Sequence, residues 1–85
     1  MTRSVFSDNY DIFRKLLVKA RKDAYLTQVE LAQRIGKHQS YISKYENGER
    51  RLDVIELIEI ARGLNANPAA FVEELCSKIQ DRISA

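Results

Sequence analysis

The stretch "TQVELAQRIGKHQSYISKYENG", residues 27–48, decides how the rest of the chain is read. Thr27 stands three residues before Glu30, the spacing of a capping box in which two side chains satisfy free amides of a first helical turn. Leu31, Ala32 and Ile35 follow at helical spacing, and Gly36 offers the left-handed backbone that closes a helix. A second apolar edge, Ile42 and Tyr45, then appears within a few residues. Gln39, Ser40, Ser43 and Lys44 share the opposite face, before Asn47-Gly48 ends the element. A short helix with one apolar edge and a polar, uncharged-to-basic outer face has to present that face to something.

The flanking segments are helical too. Ser7 or Asp8 is placed to cap a first helix that carries Ile12, Phe13, Leu16, Leu17, Ala20 and Ala24. Asp53 caps a fourth, with Val54, Leu57, Ile58 and Ala61 inside and Gly63 after its end. Asn67-Pro68 opens a fifth, where the missing proline amide costs no hydrogen bond. No segment alternates with period two. The expected class is all-α: a compact five-helix domain over residues 8–85 behind an N-terminal arm, 1–7. Helices 2 and 3, within residues 28–46, form a helix-turn-helix that presents its second helix outward to the DNA major groove.

Composition narrows the function. A chain of 85 residues buries only roughly 60–65% of its unfolded surface, which leaves little material for a deep catalytic cleft. One histidine and one cysteine supply neither a zinc ligand set nor an internal disulfide. No cofactor and no catalytic set are in view, so the chain is not expected to be an enzyme. There is no run of about 18 apolar residues and no signal-peptide core, and the chain reads as cytoplasmic, without a membrane partner. Charge is divided: residues 1–52 hold 11 Lys/Arg against 6 Asp/Glu, residues 53–85 hold 3 against 6. A basic front and an acidic back suit a protein that turns one face to a polyanion.

The run from Leu26 to Phe71 resembles the Cro/phage-repressor (Xre) family of helix-turn-helix domains, a likeness extending from about Phe13 to Leu75. Thr27-Gln28, Leu31-Ala32, Gly36, Ser43, Glu46-Asn47-Gly48 and Arg50 stand at that family's intervals. The resemblance implies a lambda-repressor-like domain in which Gln39, Ser40, Ser43 and Lys44 read bases. It also implies that Arg21 and Glu46 form a partly buried ion pair tying the first helix to the third. His38 departs from the pattern, since many relatives carry Ser or Thr there as the helix cap. Imidazole caps poorly and is expected on a phosphate or base edge instead.

The chemistry of the residues agrees without the family. Base edges in the major groove show donors and acceptors, which short polar side chains on a protruding helix can read. Gln39 matches an adenine edge, Lys44 donates to guanine, and Ser40 or Ser43 serves either partner. Around them Gln28, Lys37, His38, Asn47, Arg50 and Arg51 are candidate phosphate contacts, which set register without reading sequence. Tyr45 belongs to the core, whereas Tyr41 is expected to pack its ring and extend its hydroxyl to a phosphate.

On the last helix Phe71 and Leu75 face the domain. Val72, Cys76, Ile79 and Ile83 lie further round and mark a partner surface. The expected protein is a homodimeric repressor that reads a pseudo-palindromic operator in double-stranded DNA. Two alternatives share the fold. One is an antitoxin or restriction-modification controller, paired with a toxin or modification enzyme. The other is a protein-binding helical module that has lost DNA, for which an apolar or acidic third helix would be expected.

Overall fold

The computed structural model describes the backbone of residues 5–83 and the side chains of residues 8–79. Five helices follow one another: α1 (Val5–Asp23), α2 (Gln28–Ile35), α3 (Gln39–Glu46), α4 (Val54–Gly63) and α5 (Pro68–Ile83). Among the described residues there is no strand. α1 starts at Val5, so Ser7 and Asp8 lie inside its first turn rather than capping it, and residues 1–4 of the expected arm lie outside the described ones.

Local chemistry sets most of the boundaries. The Thr27 hydroxyl accepts the Glu30 amide at 3.1 Å while the Glu30 carboxylate accepts the Thr27 amide at 2.8 Å. The same reciprocal pair recurs between Asp53 and Glu56 at the start of α4. Asn67 opens α5 by accepting the amides of Ala69 and Ala70 on its side-chain oxygen. At the end of α2, Gly36 takes φ +68°, and the Lys37 amide donates back to the Ala32 carbonyl at 2.9 Å. That left-handed residue swings the chain off α2 and lets α3 begin at Gln39.

Burial follows the amphipathic faces. Leu16 and Leu17 of α1, Leu31 and Ala32 of α2, Ile42 and Tyr45 of α3, Leu57 and Ile60 of α4, and Phe71 of α5 meet in one core. α2 packs on both α3 and α4, while α5 closes the domain against α1 and α4.

Two expectations for α4 fail. Val54 is 65% exposed, and Ile60, unassigned from sequence, is fully buried, because the inward sector begins later in the first turn. Gly63 is the last helical residue, not the stop signal; the left-handed turn falls on Asn65, φ +57°. Glycine is needed at 63 for space. A Cβ there would lie 2.5 Å from Ile35 Cγ2 and 3.1 Å from Leu31 Cδ1, so its absence lets α4 approach α2. Gly63→Ala is expected to lower unfolding free energy by about 1–3 kcal/mol, the usual cost of forcing a methyl group into a packed contact. Chemical denaturation reads this directly, and an unchanged midpoint would mean that the two helices part without cost.

Candidate nucleic-acid interface

α3 is built as two faces. Ile42, Tyr45 and Glu46 are buried, whereas Gln39, Ser40 and Lys44 are exposed together on the outer side. Ser43 lies beside them, half-buried, with the Asn47 amide 3.4 Å from its hydroxyl. His38 is the residue before the helix and makes no side-chain cap, leaving its ring exposed.

Beneath this face sits the ion pair. Arg21 donates from Nε to Glu46 Oε2 at 2.6 Å and from Nη2 to Oε1 at 3.0 Å, and its Nη1 donates to the Leu26 carbonyl at 2.8 Å. The carboxylate raises the pKa of the guanidinium, mainly through that hydrogen bond. Both residues are more than nine-tenths buried. Removing one partner of such a pair costs about 3–5 kcal/mol, because the other charge is left unpaired.

The pair extends outward through two amides. Gln28 Nε2 donates to Glu46 Oε1 at 2.9 Å, and Gln39 Nε2 donates to Gln28 Oε1 at 2.6 Å. A carboxylate only accepts, so Glu46 decides which end of the Gln28 amide faces it. Gln28 then offers its oxygen to Gln39, which must answer with its own amide nitrogen. One acceptor oxygen and one N–H of Gln39 remain for an external partner. Adenine in the major groove presents one N–H donor and one acceptor nitrogen, the matching set. Gln28, expected on a phosphate, uses its half-buried side chain to orient Gln39 and keeps one side-chain N–H beyond these two bonds.

The flanking cations are held in different ways. Lys37 lies 5.3 Å above the Tyr41 ring and the Arg50 guanidinium 4.8 Å from it. Arg50 also donates to Glu56 at 2.8 Å and to the Arg51 carbonyl at 3.1 Å, so part of the fork expected to meet phosphate is already engaged. Tyr41 corrects its expectation: the hydroxyl is buried, has no hydrogen-bond partner among the described residues and does not extend outward. Burial raises its pKa. Asn47 is exposed at the end of α3, where its backbone amide donates to the Ser43 carbonyl at 2.9 Å. Arg51 is exposed; its guanidinium lies 4.2 Å from the Tyr10 ring centre and has no hydrogen-bond or carboxylate partner among the described residues.

Sequence reading missed Tyr10, Glu56 and Arg14, whose Nη1 donates to the Glu46 carbonyl at 2.6 Å. The Asp-x-x-Glu spacing would have signalled Glu56 as half of a capping box; nothing local marks Tyr10 or Arg14. Val72 and Cys76 of the expected partner stripe are exposed, Ile79 is half-buried, and the Ile83 side chain lies outside the described residues. Val54 and Ile58 of α4 join Val72 and Cys76 around one apolar groove, an extension that sequence reading had turned inward.

The family model for helix-turn-helix proteins matches residues 17–71. The chain belongs to this helix-turn-helix family, of the Xre type, a class of DNA-binding regulators. It is similar to an Xre-family-like protein from Pseudomonas syringae pv. tomato str. DC3000 at 43% identity, over 87% of this chain and 90% of that one, with a TM-score of 0.83. It is also similar to the restriction-modification controller protein C.Esp1396I at 28% identity, over 85% of this chain and 95% of that one, with a TM-score of 0.77. That controller has been solved as a tetramer in complex with its natural 35 base-pair operator, a structure with the same identity and TM-score. No curated protein matches the sequence. Among the described residues no helix is long and apolar enough to cross a membrane.

Glu56 gives the site a pH signature. Its carboxyl is held at about 2, below the ordinary 4.5, chiefly by the Arg50 guanidinium and next by the Asp53 amide. Because the folded value is depressed, the pair stabilises the fold above pH 4.5, and that contribution is lost as pH falls toward about 2. Solvent screening keeps it small. Glu56→Gln is expected to flatten the stability curve across that acid window, read by urea unfolding at stepped pH. An acid limb identical to the wild type would assign the pH dependence to other carboxylates.

Proposed function

We propose that the protein is a sequence-specific transcriptional regulator, a homodimeric repressor that reads a pseudo-palindromic operator through the outer face of α3. The observation that carries this reading is the oriented Gln39 amide. A side chain whose polarity is dictated from the buried Glu46 is prepared to discriminate between donors and acceptors on a base edge, which a solvated helix start has no need to be. Ser40 and Lys44 stand beside it, with Ser43 partly shielded. Lys37, His38, Asn47 and Arg51 supply the surrounding polar and cationic groups for the phosphates, and Arg50 does so with its remaining N–H groups.

A single α3 reads few base pairs, so useful specificity calls for two copies about one DNA turn apart. The groove between α4 and α5 is the surface proposed to join them, with Val54, Ile58, Val72 and Cys76 around it and Ile79 further along α5. Symmetric association is the usual arrangement for such a patch. A restriction-modification controller is the second reading, favoured by the likeness to C.Esp1396I, a controller seen as a tetramer on its operator. A toxin partner has no comparable support, and a helical module without DNA would not need the polar outer face of α3.

Selection of bound duplexes from random DNA gives the operator, and a half-site without adenine opposite Gln39 would count against the assignment. On the selected site Gln39→Ala is expected to cost about 1–3 kcal/mol while binding to unrelated DNA stays nearly constant. Equal losses on both would make Gln39 a positioning residue.

The dimer is tested separately. Val54→Asp combined with Val72→Asp replaces two exposed side chains, so a folded helical monomer with poor affinity for the full palindrome is expected. Sedimentation at micromolar concentration decides: a wild-type monomer, or a double variant that still dimerises, would move the contact elsewhere.

A further inference from the structure

Arg51 differs from its neighbour Arg50, whose guanidinium is engaged by the Glu56 carboxylate. The Arg51 guanidinium lies 4.2 Å from the centre of the Tyr10 ring, and it has no hydrogen-bond or carboxylate partner among the described residues. A guanidinium stacked by its face keeps its N–H edges free, and those edges match two oxygens of a phosphate. The backbone beneath it is tied at both ends of one peptide unit. Arg50 Nη1 donates to the Arg51 carbonyl at 3.1 Å, and the Leu52 amide donates to the Tyr10 hydroxyl at 3.0 Å. Tyr10 itself is braced from inside. Its ring meets Phe13 edge-on at 5.3 Å, and Phe13 meets the buried Phe71 edge-on at 6.0 Å.

We infer that Tyr10 is a positioning residue for DNA binding: its ring holds the Arg51 guanidinium as a preformed receptor for one backbone phosphate. The inference rests on the phosphate reading of Arg51 proposed above and adds to it the residue that prepares the contact. A free arginine at a loop surface loses rotamer freedom when it binds; one already stacked on a braced ring has lost most of it beforehand. Tyr10 is far from α3 in sequence and need not touch DNA. Its effect on affinity passes through Arg51.

The test uses the full chain and a duplex of unrelated sequence, with affinity followed by fluorescence anisotropy at several salt concentrations. Arg51→Ala should weaken binding and lower the salt slope by about one, the signature of one lost phosphate contact. Tyr10→Leu should weaken binding about three- to tenfold with the slope kept, since the charge remains but its position is no longer held. Tyr10→Phe, which keeps the ring but loses the tie to the Leu52 amide, should bind more tightly than Tyr10→Leu; a loss as large as that of Tyr10→Leu would overturn the role given to the ring. In the Arg51→Ala background Tyr10→Leu should add nothing, a coupling that a merely structural tyrosine would not produce. Equal effects of Tyr10→Leu in both backgrounds, or no effect where Arg51→Ala has one, would overturn the inference while sparing the phosphate reading. An unchanged slope for Arg51→Ala would remove that reading and the inference with it. Should Tyr10→Leu melt early, Arg51→Lys asks the same question from an exposed position. It keeps the charge but not the planar stack, so a slope kept with a several-fold loss is expected, and wild-type affinity would overturn the inference.

Discussion

The buried contact between Arg21 and Glu46 holds three helices in one arrangement. Arg21 comes from α1 and Glu46 from the end of α3, while Gln28, at the start of α2, donates to the same carboxylate. Arg21 also takes the Leu26 carbonyl, which fixes the turn between α1 and α2. Four side-chain donors from two helices therefore reach three acceptors in this region. A charge pair this dry stabilises little relative to apolar packing, yet it is expensive to break. It acts on geometry: the angle between α2 and α3 cannot drift without stretching bonds to one carboxylate.

From that centre, order spreads to the surface along two kinds of connection. One is polar, running from Glu46 through Gln28 to Gln39, each amide leaving the next only one way to point. The other is aromatic. Tyr41 leans edge-on against buried Tyr45 and carries Lys37 and Arg50. Tyr10 leans on Phe13 and carries Arg51. Consecutive arginines are thus seated on rings from different helices, and the loop between α3 and α4 is gripped from both. A small domain without a cleft gains a well-defined binding face by orienting exposed side chains from inside.

The apolar groove of α4 and α5 has no such internal anchor. Val54 and Val72, which line it, are exposed. Apolar area of this kind would give the proposed function its second surface, one to set the spacing between two DNA-reading faces.

Caps and periodicity made most of the fold legible in advance. Thr27-x-x-Glu30, Gly36, Asp53 and Asn67-Pro68 act over one turn of chain, so their effect is written within a few residues. The outer face of α3 was legible for the same reason, because residues three and four apart must share a side. What depends on a partner distant in sequence was not. That Gly63 makes room for Ile35, that Val54 turns outward, that Gln28 serves Gln39 and that Tyr10 carries Arg51 are all consequences of how the helices pack. The sequence by itself determined which segments are helical and which face of the third is polar, since both follow from local hydrogen bonding and a fixed helical period. Tertiary structure alone decided which polar groups remain free to bind, because a donor is spoken for only when packing brings an acceptor within about 3 Å of it.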